Sequence, residues 1–455
     1  MNIIIVGAGT VGYSLAAHLS SLNHHISVIE HNAALSKEIN AKLDVFTVTG
    51  PGASPQALLD AGIANADMVI AVTPRDDTNL LVCGFAKQYG VIKRIARIKN
   101  SEYTQAESRI SLQELGVTHV IEPEKEVVRS ILQYIELPGV TKTANFQSDN
   151  VYLRGFRITE DMPLTNKTLS EIRQIPDVGN LLIVLIIRDG KSVLPTGDER
   201  VLPGDDIVAI MASESLDSFR KLLNRPPSKL KKVVVSGDTL TAIYLARELR
   251  PFADRIILVD PDEHHGLFAA SQLNGVEVLH GDCTNIEMLQ EVHVENTPFF
   301  IAAGKDTEDN IMSCLLAKAE GAKEVIAISN NQKHVDLFQS LGLDHIINPH
   351  SITSQSIIAN VLKVPIGALL HLKDVNVEVT RLIAEHNSRV VDKPLSQLDK
   401  LFRKSVIIGS VMREDRVIIP SGDTIIQPGD EVLVLCNSRK INSVSKFFKS
   451  GLGFA

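Results

Sequence analysis

Short apolar runs alternate with amphipathic stretches along the first 140 residues. The runs at 3–6, 26–29 and 68–72 have the length of buried strands. Between residues 10 and 22, apolar side chains recur every three or four positions, which predicts a helix. Strands that alternate with helices in this way favour an α/β domain with a doubly wound parallel sheet.

The alternation of strands and helices continues to about residue 140. Further strands are predicted at 44–48, 94–98 and 119–121, and further helices at 32–39, 55–61, 78–89, 102–115 and 124–135. After about residue 145 the pattern changes to closely spaced strands, predicted at 151–158, 180–188, 192–194 and 206–211, with short helices at 169–173 and 215–223. This predicts a small α+β module, followed by a proline-containing linker at 224–229.

The second half of the chain repeats the first half. A shift of 230 residues aligns the first part of the two larger domains, a shift of 231 aligns them from Gly50 onward, and a shift of 225 aligns the small modules. The clearest matched pairs are Gly7 with Gly237, Leu15 with Leu245, Glu30 with Asp260, Asn79 with Asn310, and the Pro-Gly-Asp turn at 203–205 with that at 428–430. We therefore expect Rossmann-like domains at 1–140 and 230–367 and small α+β modules at 141–225 and 368–455.

The bulk composition limits the partners and the location of the protein. The net charge is 46 − 54 = −8, which argues against nucleic acid or an anionic membrane surface as the primary partner. The four cysteines lie far apart, which predicts reduced thiols in a cytosolic protein. The longest apolar runs are too short to span a bilayer, and the first strand starts where a signal peptide would lie. We expect a cytoplasmic protein.

The first strand runs directly into the motif Gly-Ala-Gly-Thr-Val-Gly at residues 7–12, which opens the first helix. In a dinucleotide-binding turn, Gly7 makes the tight turn, Gly9 lets the backbone approach a pyrophosphate, and Gly12 lets the helix pack against the strand. The helix N-terminus offers free N–H groups to phosphates. Glu30 follows where a carboxylate can bind a ribose diol. The motif predicts nucleotide binding; the alternative is glycines that serve packing only.

Two further residues of the first half stand at the carboxyl edge of the predicted sheet, where ligands of open α/β domains bind. Arg97 stands at the end of the fifth strand, and a guanidinium there can hold a phosphate through two hydrogen bonds. Thr73 follows the fourth strand, and the backbone of its loop can approach a ribose or a nicotinamide. The alternatives are a solvated arginine and an ordinary loop threonine.

The second half departs from the nucleotide-binding pattern. Asp238 and Thr239 stand where the first half has residues 8–9, and a carboxylate beside a pyrophosphate weakens binding. Ile328 replaces the strand-end arginine and has no charge. Only Asp260 remains of the polar anchors, so we expect no dinucleotide here, although an adenosine-only ligand can still use Asp260.

The sequence offers no convincing metal site or nucleophile. The densest group of possible metal ligands is Asp-Glu-His-His at 262–265, where charged loop residues are common after a strand. Neither Gly-x-Ser-x-Gly nor His-Glu-x-x-His occurs. We expect neither a metal centre nor a catalytic residue.

The duplicated arrangement resembles the TrkA family, the peripheral cytoplasmic subunits of bacterial Trk potassium-uptake systems, which contain two regulator-of-potassium-conductance units. The residues that carry the resemblance are the strand and glycine turn at 4–12, Glu30, and the segments 71–73, 77–80 and 94–97, with the paired Pro-Gly-Asp turns. The resemblance covers essentially the whole chain. The glycine motif alone is generic, whereas the double repeat with a small module after each half is specific.

The resemblance implies properties that composition does not show. Members assemble, typically as homotetramers, into a cytosolic ring at the inner face of the membrane, below a transmembrane potassium-transporting subunit. NAD(H), ATP or ADP binds the ring and changes its shape, which gates the partner without catalysis. By position, the first-half ligand is expected at Gly7, Ala8, Gly9, Thr10, Val11, Glu30, Thr73, Pro74 and Arg97. Gly12 and Asp260 complete the expected cofactor-binding residues.

Two other classes of function share some of these features. An NAD-dependent oxidoreductase has the same glycine motif, but it needs a proton-transfer residue facing the nicotinamide, and the small modules offer no evident His or Lys for that role. A nucleotide-sensing repressor needs a helix-turn-helix or a basic arm, and the net charge opposes it. Glu30 would repel a 2′-phosphate, which disfavours NADP. NAD, ATP and ADP share the same adenosine diol, so the motif does not rank them.

Overall fold

The fold is described from a computed structural model of the 455-residue chain. The description covers all residues except 23, 106–110, 147–149, 176–180, 194, 225–228, 332–337, 339–340, 363–376, 399–405, 415, 438–439 and 451–455. Most of the predicted linker and the predicted boundary between residues 367 and 368 lie outside the described residues.

The first domain is a six-stranded parallel sheet with the order β3-β2-β1-β4-β5-β6. Its strands are β1 (Asn2–Val6), β2 (His25–Glu30), β3 (Phe46–Thr49), β4 (Met68–Ala71), β5 (Lys93–Arg97) and β6 (His119–Ile121). Its helices are α1 (Thr10–Ser21), α2 (Ala33–Lys42), α3 (Pro55–Asp60), α4 (Asp76–Gln88) and α5 (Pro123–Glu136). Strand order reverses between β1 and β4, and a reversal of this kind opens a ligand crevice at the carboxyl edge.

The first small module is an antiparallel sheet with the order β10-β9-β11-β8-β7. Its elements are β7 (Val140–Phe146), β8 (Val151–Arg157), α6 (Leu169–Arg173), β9 (Leu181–Arg188), β10 (Lys191–Val193), β11 (Asp206–Ala212) and α7 (Leu216–Leu222). The strand predicted at 180–188 forms β9, which lies next to the central strand β11.

The second half repeats both sheets. The parallel sheet has the order β14-β13-β12-β15-β16-β17 and the antiparallel sheet the order β18-β21-β19-β20. The strands are β12 (Leu230–Ser236), β13 (Ala253–Asp260), β14 (Glu277–His280), β15 (Phe299–Ala302), β16 (Glu324–Ile328), β17 (His345–Ile347), β18 (Val377–Ile383), β19 (Val406–Arg413), β20 (Arg416–Ile418) and β21 (Glu431–Asn437). The helices are α8 (Leu240–Glu248), α9 (Glu263–Gln272), α10 (Ile286–Glu291), α11 (Thr307–Ala319), α12 (Pro349–Leu362) and α13 (Ile441–Phe448).

The chain divides into two compact units, each built from both halves of the duplication. One unit comprises Met1–Leu132 and Lys229–Val361 and contains the parallel sheets; the other comprises Gln133–Ser228 and Leu362–Ala455 and contains the antiparallel sheets. In the second unit the two small modules share one apolar core, formed by Val151, Leu153, Val184, Leu185, Val208, Ile210, Val379, Ile419, Leu433 and Leu435. Within the described part of the chain, none of the helices is long and apolar enough to cross a membrane.

Two elements differ from the sequence-based prediction. The helix predicted at 102–115 is wrong for the described residues of that stretch, which form a 3-10 turn at Ser101–Tyr103 and later turns. The Asn100 side chain caps the 3-10 turn by accepting the N–H of Glu102 at 3.0 Å. The other difference is β7, a strand that the apolar pattern did not reveal because hydrogen bonds to β8, rather than apolar content, hold it in the sheet.

The repeated Pro-Gly-Asp turns are held by the same clamp in both small modules. The buried carboxylate of Asp205 accepts two hydrogen bonds from Arg188, both 2.8 Å, and one from the N–H of Leu202. Asp430 is bound by Arg413 in the same way. Burial raises the pKa of Asp205, but the hydrogen bonds from Arg188 and Leu202 outweigh burial and leave that pKa below its ordinary value.

We predict that Asp205→Ala lowers the free energy of unfolding by roughly 2–4 kcal/mol, because it removes the buried ion-pair partner of Arg188 and the acceptor of the part-buried Leu202 N–H. Since the folded-state pKa is depressed, the contribution is present above the unfolded pKa of about 3.9 and is lost as pH falls through the folded value. Thermal unfolding at neutral pH measures it. The exposed Asp198 provides the control. An equal loss of unfolding free energy in Asp198→Ala would show that the hydrogen bonds between Asp205 and Arg188 are not the cause.

Candidate nucleotide-binding site

The glycine turn connects β1 to α1, and the fold itself requires two of its glycines. Gly7 has a left-handed φ of +97°, and its N–H donates to the carbonyl of Ile29 at 2.9 Å. A Cβ on Gly12 would lie 1.8 Å from the carbonyl oxygen of Gly7. Glycine is needed at both positions whether or not a ligand binds.

Gly9 differs from these two glycines because no described residue fills the space beside it. It is the exposed N-cap residue of α1, with extended backbone, and a Cβ there would meet no described atom within 4 Å. Among the described residues no side chain caps α1, so the N–H groups of its first turn, which contains Thr10 and Val11, have no side-chain acceptor. Packing does not require a glycine at position 9, and open space at a helix N-terminus suits the close approach of a phosphate.

Glu30 ends β2 and directs its carboxylate back to the glycine turn. The residue is only 5% exposed. Its Oε2 accepts the N–H of Ala8 at 2.8 Å, and its Oε1 accepts the N–H of Asn32 at 2.8 Å and lies 2.7 Å from Nδ1 of His31. Oε2 retains capacity for a further hydrogen bond. The predicted ribose-binding acid therefore lies beside the predicted phosphate-binding turn and still has an acceptor to offer.

The loop after β4 also reaches the glycine turn. A Cβ on Gly7 would lie 3.1 Å from the backbone nitrogen of Thr73. The Thr73 hydroxyl donates to Oδ1 of Asn79 at 2.7 Å, and Pro74 next to it is exposed. The structure thus brings the loop of Thr73 and Pro74 together with the turn, as predicted from their positions at the sheet edge.

Arg97 ends β5, two strands away from the glycine turn in the sheet. It lines a cavity of about 340 Å³ within the first unit, together with Lys99, Glu124, Lys305 and His350. The Nε of Arg97 is buried and has no hydrogen-bond partner in the described part of the protein. Burial lowers the pKa of Arg97, and burial with the charges of Arg97 and Lys99 lowers the pKa of His350. A half-buried guanidinium whose Nε has a spare hydrogen suits an anionic group.

The second half fills its own turn with side chains. Asp238 forms an ion pair with Lys305 at 2.7 Å, which balances the charge that was expected to repel a phosphate. The Thr239 hydroxyl donates to the carbonyl of Ala303 at 2.5 Å and accepts the N–H of Ala242 as the N-cap of α8. The helix N-terminus that is uncapped in the first half is therefore capped by a side chain here.

Asp260 ends β13 as Glu30 ends β2, but its carboxylate is completely buried. Its Oδ2 lies 2.5 Å from Nδ1 of His265, and its Oδ1 accepts the N–H of Asp262 at 2.9 Å. His265 belongs to α9 rather than to the loop expected at 262–265, because Asp262 caps that helix by accepting the N–H of His265. Among the residues that the structure describes, no group of His, Cys, Asp and Glu could hold a metal ion.

Sequence reasoning missed two residues that shape the first site, Asn79 and Asp76 of α4. Both bind backbone groups at or just after the end of β5: Asn79 donates to the carbonyl of Arg97, and Asp76 accepts the N–H of Asn100. The available signal was the match of Asn79 with Asn310 in the repeat, because both are amides in helices that otherwise turn apolar residues to the sheet.

Known protein domains match most of the chain. Residues 3–123 and 233–349 match the TrkA-N domain, and residues 153–224 and 379–449 match the TrkA-C domain. These matches bear out the predicted tandem duplication of a larger domain followed by a small module.

Relatives and solved structures share the whole arrangement. The Trk system potassium uptake protein TrkA of Azorhizobium caulinodans is 31% identical over 460 residues, covering 100% of both chains. The protein of the same name from Haemophilus influenzae is 29% identical with the same coverage. The GsuK RCK domain has a TM-score of 0.59 at 19% identity and covers 98% of this chain and 94% of its own. The GsuK channel bound to NAD has a TM-score of 0.60 at 19% identity, covering 98% and 78%. The structural likeness confirms the predicted fold.

Two glycine substitutions separate the packing role of the turn from a ligand-binding role. We predict that Gly12→Ala lowers the free energy of unfolding by roughly 2–3 kcal/mol or more, because its Cβ would strike the Gly7 carbonyl. Gly9→Ala is expected to leave unfolding almost unchanged and to weaken NADH binding about tenfold or more, since its methyl group occupies the open space at the helix N-terminus. Calorimetry and thermal unfolding of both variants test this. If the Gly9→Ala protein binds NADH like the unmutated chain, the glycines of the turn serve packing only.

Proposed function

This chain belongs to the TrkA family of potassium-uptake proteins, and we propose that it is the nucleotide-binding regulatory subunit of a Trk potassium-uptake system. The observation that carries this function is the full-length similarity to TrkA proteins, with both domain types in tandem. The protein would change shape when a nucleotide binds and thereby gate a transmembrane potassium-transporting subunit, without catalysing a reaction.

We propose NAD(H) as the ligand of the first half, with ATP or ADP as competitors for the same site. The uncapped N-terminus of α1 and the open space at Gly9 support a bound pyrophosphate. The free acceptor capacity of Glu30 supports a ribose diol, and the spare donor of Arg97 supports a further anionic group. GsuK, a channel with the same fold, has a structure with NAD bound.

The second half is the weaker candidate for a nucleotide. A ligand ribose at Asp260 would have to displace His265, whose Nδ1 already lies 2.5 Å from that carboxylate. A phosphate at the second turn would have to compete with the capping Thr239 and the Asp238 ion pair. We propose that one nucleotide binds per chain, in the first half, and that Asp260 serves a ligand only if this internal pairing opens.

Regulation requires two conformations to which the ligand binds with different affinity, because a ligand that binds both equally shifts nothing. We propose that the chain acts as a homotetramer on the cytoplasmic face of the membrane, attached through its potassium-transporting partner. NADH and the adenine nucleotides share the adenosine contacts at Glu30. The difference between them must therefore arise at the other end of the ligand, toward Thr73 and Arg97.

The competing function, an NAD-dependent oxidoreductase, makes an opposite prediction about turnover. We expect the purified chain to bind NADH without oxidising it when a panel of aldehydes and ketones is added. Absorbance of the reduced nicotinamide measures this directly. Substrate-dependent loss of absorbance that Glu30→Ala abolishes would establish an enzyme instead.

We predict that Glu30→Ala weakens binding of NADH, ATP and ADP at least tenfold, because it removes the acceptor for the ribose diol. The folded chain should persist, as thermal unfolding can verify. Asp260→Ala removes the matching carboxylate of the second half and should leave first-half affinity unchanged. Calorimetric affinities for every adenine nucleotide that do not change in Glu30→Ala would overturn the proposed site.

A further inference from the structure

The first turn of α4 holds the ends of two neighbouring strands together. Asn79 is completely buried there. Its Oδ1 accepts the N–H and the hydroxyl of Thr73 at 3.0 and 2.7 Å, and its Nδ2 donates to the carbonyls of Thr73 and Arg97 at 3.0 and 2.8 Å. A carboxamide has two donors and two acceptor lone pairs, so the side chain is fully used. The loop after β4 and the end of β5 are therefore tied through one residue.

Asp76, in the same turn of α4, extends this connection beyond β5. Its carboxylate accepts the N–H of Lys99 at 3.0 Å and the N–H of Asn100 at 2.7 Å. The two side chains together bind the backbone on both sides of the point where β5 ends. Hydrogen bonds from backbone to a carboxylate are stronger than neutral ones, so this segment is firmly attached to α4.

The hydrogen bonds that Asn79 and Asp76 make to these segments form a strand-end clamp. The second half contains an equivalent clamp that binds different residues. Asn310 donates to the carbonyls of Gly304 and Ile328, both at 2.9 Å, and accepts the N–H of Gly304 at 2.8 Å. Asp76 is matched by Thr307, whose hydroxyl accepts the N–H of Asn330 at 3.3 Å. The clamp therefore belongs to the scaffold, while the residues it positions differ between the halves.

We propose that Asn79 is a positioning residue for the nucleotide: it fixes Thr73 and Arg97 relative to each other so that both can meet the same bound ligand. In the proposed site the adenosine end of the ligand lies at Glu30, whose carboxylate is bound by Ala8, Asn32 and His31 and makes no hydrogen bond to Asn79 or Asp76. Asn79 thus controls the affinity of the distal end of the ligand, the end that distinguishes one adenine nucleotide from another. This inference rests on the proposed function.

The duplication supplies a matched experiment. Asn79→Asp leaves at most one proton where two N–H groups donate to the carbonyls of Thr73 and Arg97, so at least one of these bonds is lost. We expect NADH to bind about tenfold more weakly, which corresponds to about 1.4 kcal/mol, while AMP binds with unchanged affinity. Asn310→Asp disrupts the equivalent bonds in the second half, to Gly304 and Ile328, which also line the cavity of Arg97. We therefore expect unchanged AMP affinity and a smaller loss of NADH affinity than in Asn79→Asp. Calorimetry on the full-length chain measures them, and thermal unfolding compares the structural cost of the two substitutions.

If the buried aspartate variants fail to fold, a milder pair of substitutions tests the same inference. Asp76→Ala should weaken NADH binding severalfold and spare AMP, whereas Thr307→Ala should change neither. Equal loss of NADH and AMP affinity in the Asn79 or Asp76 variants, or equal loss in the second-half controls, would show a merely structural role. Unchanged NADH affinity in both first-half variants would also overturn the inference.

Failure of this inference is separable from failure of the proposed function. If Glu30→Ala weakens nucleotide binding but Asn79→Asp and Asp76→Ala do not, the site stands and the positioning role is wrong. If Glu30→Ala leaves the binding of every nucleotide unchanged, the proposed site itself is wrong.

Discussion

The candidate site depends on the close approach of α1 to β1, which only a glycine at position 12 permits. With the Gly7 carbonyl 1.8 Å from where a Cβ of Gly12 would lie, no other residue lets the helix start directly above the strand end. That start points the free N–H groups of α1 across the sheet edge, and the Ala8–Glu30 hydrogen bond joins the turn to β2. The proposed phosphate-binding turn and the proposed ribose-binding acid are thereby held side by side.

The internal contacts of the two copies differ in a way that supports nucleotide binding by the first copy alone. Both copies keep the parallel sheet, the acid at the end of the second strand and the buried amide of the clamp. In the second copy, Thr239 caps the helix, Lys305 binds Asp238, and His265 is paired with the carboxylate of Asp260. Each of these internal contacts occupies a group whose counterpart in the first copy is proposed to bind the nucleotide. They support the proposal that only the first copy responds to a ligand.

The sequence predicted the order of elements well because each has a clear local cause. Buried parallel strands are continuous apolar runs, and the glycine motif is specific once a strand precedes it and a helix follows. Prediction failed where apolar periodicity did not decide the structure. The described residues of 102–115 form only a short capped turn and later turns, and β7 is held by hydrogen bonds to its partner strand. The partner of Asp260 and the cavity beside Arg97 depend on tertiary packing, which local pattern does not encode.

The central claim is that a nucleotide in the first half controls potassium movement through a membrane partner. The most direct measurement is potassium flux through the reconstituted transmembrane subunit of the same Trk system, with the full-length chain added and NADH or ATP titrated. The account predicts that flux changes with nucleotide, and that the chain carrying Glu30→Ala supports flux but no longer responds to nucleotide. A nucleotide response that survives in Glu30→Ala, or flux that ignores nucleotides with the unmutated chain, would contradict it.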